Sequence, residues 1–140
     1  MKSNGNNIFL DTNVLIGAYS GVQSDVKCLN YLFSLTGKRL YTSTLSIAQL
    51  VSVFQKKQTN EQIKRVIGKI IAKINLIGFS DKDVANSLNI EGPDMEDNIQ
   101  FVISKKMNCF WFITNNRKDY VNFSNIEVIR PNDARNISQD

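Results

Sequence analysis

Two rhythms of apolar and polar positions run along this chain, and each change of rhythm marks an element. Ile8, Phe9 and Leu10 make a short unbroken apolar run after Asn7, as a strand buried on both faces does. The chain turns polar at Asp11 and becomes apolar again at Val14, Leu15 and Ile16, which predicts a strand ending at Leu10 and a short helix over residues 12–19. A Ser-Gly turn and a longer helix over residues 26–35 follow, closed by Gly37. Residues 39–42 read as a second short strand. In TSTLSIAQLVSVF, Ile47, Leu50, Val51 and Phe54 recur at i, i+3, i+4 and i+7, a helix that Ser43 or Thr44 can cap.

The next segment, TNEQIKRVIGKIIAKIN, carries Thr59 and Gln62 at capping-box spacing, then Ile63, Val66, Ile67, Ile70, Ile71 and Ile74 on one helical stripe. Its basic residues fall on the other side, so the apolar face is expected to pack on the domain or on a second subunit. Residues 76–79 read as a third strand, and Ser80 with Asp83 opens a helix reaching Leu88. Gly92-Pro93 breaks the chain before a helix over residues 94–106. CFWFIT, residues 109–114, is the clearest buried strand; residues 127–129 form another, and PNDARNIS makes a final turn or short helix. Strands alternating with helices imply parallel pairing through right-handed crossovers. The expected fold is a three-layer α/β/α sandwich with a central parallel sheet, residues 1–140 forming a single domain.

Composition narrows the chemistry. The chain has no histidine, which excludes Ser-His and Cys-His nucleophiles and any histidine base, and leaves carboxylates, lysines, tyrosines or a metal. Cys28 and Cys109 show no CxxC spacing and are expected to be buried free thiols in a reducing compartment. Residues 1–7 lack the apolar stretch of a signal peptide, and no segment has the length of a membrane span, so a cytoplasmic protein without membrane association is expected. The formal charge of +4 is unevenly spread. Lys56, Lys57, Lys64, Arg65, Lys69 and Lys73 share one stretch with a single acid, Glu61, whereas Glu91, Asp94, Glu96 and Asp97 crowd together later. That segregation suits a polyanion held by lysines while its phosphates approach carboxylates; a solvated helix face by itself explains the lysines more simply.

In an α/β sheet the polar residues gather. Asp11 follows the first strand, Gln49 lies in the first turns after the second, the acids at 94–97 open a helix, and TNNRKDY follows CFWFIT. The crevice outside the carboxyl ends of parallel strands is where ligands bind. Asp11 therefore reads either as a site acid or as the N-cap of the following helix. Mg²⁺ is satisfied by one or two carboxylates plus water and phosphate oxygens, so Asp11 and Asp97 suffice for one ion. Glu96 reads as a first-turn acid favoured by the helix dipole. Thr12 and Asn13 offer backbone N–H groups to an anion. Asn115 and Asn116 either contact phosphate or hold Asp11 in place, and Asp119 either assists through water or partners Arg117.

FLDTNVLI, TSTLSIAQL, PDMEDNIQFVISKK and FITNNRKDY, in this order, resemble the PIN-domain family, in particular the compact VapC-like toxin ribonucleases of type II toxin-antitoxin systems. The resemblance spans residues 7–133. It implies a metal-dependent endoribonuclease, a hydrolase using Mg²⁺ or Mn²⁺ at the strand C-termini, with RNA as substrate, a cognate antitoxin as partner and a homodimer as the assembly. On the family's pattern Asp11 is the first acid and Asp97 the principal later one, and both bind metal. The second acid is usually Glu where this chain has Gln49. Near the fourth site stand Asn116 and Asp119, and Thr114 matches a common threonine. Catalysis is thereby assigned to Asp11, Asp97, Asp119, Gln49 and Asn116, and substrate contact to Thr12, Asn13, Thr114, Asn115, Lys64, Lys69 and Lys73. A neutral Gln49 adds no charge to a cation and cannot act as a base, which leaves a catalytically weak or inactive RNA- or antitoxin-binding module as the alternative. A receiver-type signalling domain also places an acid after its first strand, but LIGFSD supplies no phosphoacceptor.

Overall fold

The computed structural model describes residues 4–120, 123 and 125–138. The strands are β1 (Asn4–Leu10), β2 (Arg39–Ser43), β3 (Asn75–Ile77), β4 (Cys109–Ile113) and β5 (Glu127–Ile129). The helices are α1 (Thr12–Ala18), α2 (Gln23–Ser34), α3 (Thr44–Phe54), α4 (Asn60–Lys73), α5 (Asp81–Ser87) and α6 (Met95–Lys105), with 3-10 turns at Arg117–Asp119 and Pro131–Asn136. Side-chain caps fix several of these starts. Ser43 accepts from the Ser46 N–H and opens α3. Thr59 and Gln62 bond each other's backbone N–H groups at 3.2 and 2.9 Å, the capping box expected at the head of α4.

Beyond β1, which begins at Asn4 ahead of its apolar run, two elements differ from the sequence reading for local reasons. α2 begins three residues early because Gly21, at φ +85°, turns the chain sharply enough for the helix to start at Gln23. β3 is displaced to Asn75–Ile77, because the Phe79 N–H leaves the sheet to donate to Thr44 Oγ1 at 2.9 Å.

All four strand pairings are parallel, in the order β3-β2-β1-β4-β5. This order excludes a receiver-type domain, whose flavodoxin-like sheet runs 2-1-3-4-5. The chain winds outward from β1 through β2 to β3, then returns to the other side of β1 for β4 and β5. Winding therefore reverses between β1 and β4, which opens a crevice beyond Leu10 and Ile113, paired neighbours in the sheet.

Strand periodicity divides the core in two. Ile8, Leu10, Leu40, Ile113 and Ile129 face a layer from α1 to α4, where Ile63, Ile70 and Ile74 bury the α4 stripe. The expectation of packing on the domain is thus met within one chain. Phe9, Tyr41, Phe112 and Val128 face the opposite side, against Phe101, Ile103 and Tyr120. Each fully buried side chain of this kind contributes about 1.5–3 kcal/mol. Both cysteines are free and buried, and burial pushes their thiols up to about 12, so they remain protonated. No helix among the described residues is long and apolar enough to cross a membrane.

Candidate active site

Asp11 caps α1, its Oδ1 accepting the Thr12 N–H at 2.8 Å, and it sits at the crevice between β1 and β4. Its other oxygen, Oδ2, takes the Thr114 hydroxyl at 2.8 Å, the Asn13 amide at 3.3 Å and the Tyr120 hydroxyl at 3.3 Å. The carboxyl is 4 % exposed. Burial raises its pKa, and the four hydrogen bonds pull the other way.

Asp97 arrives from the other layer, in the first turn of α6, its N–H donated to the cap Asp94 at 3.1 Å. Its Oδ1 accepts the Tyr120 hydroxyl at 2.8 Å. One phenol thus stands within 3.3 Å of both carboxylates, with a single proton between them. The Asp97 carboxyl is pushed up to about 7, first by burial and then by the charges of Asp11, Asp94 and Asp119, against the Tyr120 hydrogen bond. Burial and the two carboxylates raise the Tyr120 hydroxyl far above its ordinary range, so it stays a donor. Its ring is fixed by Phe112, at 4.4 Å between centroids, and by the edge of Phe123 at 5.4 Å.

An open cleft of about 380 Å³ lies over these acids, lined by Asp11, Asn13, Gln49, Glu96, Asp97 and Asn116 among others. Gln49 enters from α3. Its amide oxygen accepts the Thr12 hydroxyl at 2.6 Å and its nitrogen donates to Glu96 Oε2 at 2.5 Å. Behind it, buried Gln100 receives Ser43 Oγ at 2.7 Å and donates to Ser46 at 2.8 Å and to Thr12 at 3.1 Å.

The remaining expected residues separate into two groups. Asn116 lines the cleft, its N–H on Thr114 Oγ1 at 3.0 Å. Asn115 turns away, donating its side chain to buried Asp25 at 3.1 Å and its N–H to Asn13 Oδ1 at 3.0 Å, so it holds the residue that holds Asp11. The Thr12 N–H is consumed by Asp11, which corrects the expectation that it is open to an anion. Asp119 adds its charge near Asp97, while Arg117 Nε donates to the Val128 carbonyl instead of partnering it. Lys64, Lys69 and Lys73 are exposed on α4 outside the cleft lining. Lys64 pairs with Glu61 at 3.7 Å. Lys73 stands 4.8 Å from the Phe33 ring centroid, toward the start of β2 and hence at the sheet edge away from Asp11, because α4 must end where β3 begins.

Sequence reasoning missed Tyr120, Gln100 and the cleft position of Glu96. KDY shows only an aromatic with a polar tip directly after Asp119, with nothing in it to mark the hydroxyl as buried. The donor set consists of oxygens, which suits a hard cation. Among the described residues no group of three or more His, Cys, Asp or Glu side chains is placed to hold a metal. Asp11 and Asp97 alone are within the one or two carboxylates Mg²⁺ takes, and their oxygens meet at the Tyr120 hydroxyl.

No protein-family model and no curated protein sequence matches the chain. Solved structures do. A toxin-antitoxin complex from Klebsiella pneumoniae is 22 % identical, with a TM-score of 0.66 over 89 % of this chain and 97 % of that one. VapBC2 from Rickettsia felis, solved bound to a DNA fragment from its promoter, is 19 % identical, with a TM-score of 0.65 over 89 % and 98 %. VapC20 from Mycobacterium tuberculosis, a toxin that cleaves the sarcin-ricin loop, is 9 % identical, with a TM-score of 0.65 over 86 % and 98 %. At these identities the likeness is one of fold, and it agrees with the five-stranded parallel sheet and its flanking helices. The chain has the PIN-like α/β/α fold of the VapC toxins.

Proposed function

We propose that this chain is a metal-dependent endoribonuclease, the toxin of a toxin-antitoxin pair. The observation that carries the reading is the convergence of Asp11 and Asp97 on one hydroxyl, at the sheet crossover and under an open cleft. Asp11 and Asp97 would hold Mg²⁺ or Mn²⁺. The ion would supply Lewis-acid stabilisation of the phosphoryl oxygens and an acidified water. The protein's part is orientation. Thr114, Asn13 and Tyr120 aim the Asp11 carboxylate, Asp94 fixes the first turn that presents Asp97, and Asn116 offers the cleft a side-chain amide. An antitoxin is the partner this reading requires, and the apolar cleft wall of Ile16 and half-exposed Val53 gives a protein segment surface to bury. A homodimer in the cytoplasm completes the reading.

A second reading, a binding module without catalysis, is favoured by Gln49, whose amide is committed to Thr12 and Glu96. The two separate in one experiment. Calorimetric Mn²⁺ titration and cleavage of a generic single-stranded RNA are followed in the parent, Asp11→Asn and Asp97→Asn. The nuclease reading expects both substitutions to lose Mn²⁺ binding and cleavage. Unchanged Mn²⁺ affinity in Asp11→Asn removes that residue from the site, and a parent that binds RNA with Mn²⁺ present but leaves it intact decides for the binding module.

A further inference from the structure

We propose that Glu96 is a further acid of this site, the base that takes the proton of the attacking water, and that Gln49 is the positioning residue that holds it; this rests on the nuclease reading above. Hydrogen-bond polarity runs from the buried core out to Glu96. Ser43 Oγ already accepts the Ser46 N–H at 2.9 Å, and its own proton goes to Gln100 Oε1 at 2.7 Å. The Gln100 nitrogen accordingly faces Thr12 and Ser46. Thr12 Oγ1, receiving that N–H, has Ser46 Oγ at 2.8 Å and Gln49 Oε1 at 2.6 Å, and its proton serves the shorter contact. Gln49, its oxygen taken, presents its nitrogen to Glu96. Ser43, Ser46 and Gln100 are buried, so water does not replace these partners. Reversal would set the Gln49 oxygen against a carboxylate.

A first-turn acid serving only the helix dipole needs no partner on another helix. Glu96 has one, on α3, and both line the cleft that Asp11 and Asp97 line. The Gln49 amide occupies Oε2 and leaves Oε1 to accept a proton. In the step assigned here the water oxygen bonds to phosphorus and its proton passes to the Glu96 carboxylate. The phosphorus–oxygen bond to the leaving sugar oxygen breaks, and that oxygen takes a proton from solvent.

The test exchanges the two functional groups. Glu96→Gln, Gln49→Glu and the double variant are compared with the parent and with Asp97→Asn, by RNA cleavage with Mn²⁺ and by melting in metal-free buffer. Glu96→Gln is expected to lower kcat roughly 10²-fold at unchanged KM, the low end for loss of a general base. Gln49→Glu sets two carboxylates side by side without a donor and should lower the metal-free melting temperature by about 4 °C. The double variant restores an amide–carboxylate pair with its ends exchanged, and should regain the melting temperature and cleavage to within about tenfold of the parent. Parental kcat in Glu96→Gln, or a double variant no better than the single ones, overturns the assignment. If the parent cleaves, Asp97→Asn does not and Glu96→Gln is normal, Glu96 alone falls. If the parent neither cleaves nor binds Mn²⁺, the nuclease reading falls and this one with it.

Discussion

Tyr120→Phe removes one oxygen from the centre of the site and little else. The ring remains among Phe112 and Phe123, so no cavity larger than a hydroxyl opens. The lost proton served Asp97 at 2.8 Å, and a hydrogen bond to a charged group is worth about 1.5–3 kcal/mol. In a chain of this length, that corresponds to a melting temperature lower by roughly 5–10 °C. The loss depends on pH, and its sign follows from Asp97. The folded-state pKa of about 7 lies above the ordinary carboxylate value, so the folded chain binds the proton more tightly. Stability from this group is full below about pH 4, declines as pH rises and is gone above about pH 7. At pH 5 the folded Asp97 is protonated and no longer needs the phenol as a donor, so Tyr120→Phe should cost only about 1 kcal/mol. At pH 8 the full loss is expected, and on the metal-binding reading saturating Mn²⁺ should narrow it. Thermal melts of parent and variant at pH 5 and pH 8, with and without Mn²⁺, measure all four corners. A loss of the same size at both pH values would refute the claim that the hydroxyl acts through the ionised acids.

Gly17 lies against Asp25, and a Cβ there would stand 1.7 Å from Asp25 Oδ2. Gly17→Ala should therefore push Asp25 off Asn115 and destabilise the chain by about 1–3 kcal/mol, read by urea unfolding; a variant as stable as the parent would show that Asp25 moves freely. Lys64 and Lys69 are both exposed on α4, and replacing both with Ala should reduce the salt dependence of single-strand RNA binding by about 1.4 in the log–log slope, two phosphate contacts' worth. Lys73→Ala, at the other sheet edge, should leave the slope unchanged, and a reversed result would relocate the RNA path. Asp11→Asn should also raise the metal-free melting temperature at pH 8, since it removes a buried charge repelling Asp97; a lower value would mean that the four hydrogen bonds to Asp11 outweigh its desolvation.

What the sequence disclosed follows from how local each signal is. Apolar period set the order of strands and helices, because burial on one or two faces is written in neighbouring positions. The placement of Asp11, Gln49, Asp97 and Asn116 around one cleft was legible for a similar reason: each follows a strand or opens a helix at the same sheet edge. Tyr120 was not, since its partners Asp11 and Asp97 are remote in the chain and nothing in KDY distinguishes a buried hydroxyl from an exposed one. Glu96 was hidden by a sufficient local explanation, the helix dipole, while its actual partner lies on α3. The displacement of Lys73 to the far sheet edge depended on where α4 ends relative to β3, a tertiary constraint that a charge count along the chain does not hold.

The hydroxyl bridge joins residues 109 positions apart, Asp11 and Tyr120. Nearly the whole chain must leave the ribosome before that bond can close, and β1 waits for β4 for almost as long. Pairings of such sequence separation are slow to form because loop closure must precede any gain from contact. A nascent or prematurely terminated chain ending before Tyr120 can build the β1–β2–β3 side of the sheet and bury the α4 stripe, yet it cannot assemble the clamp over its two acids. The cleft therefore takes its final form only once the chain through Tyr120 is available.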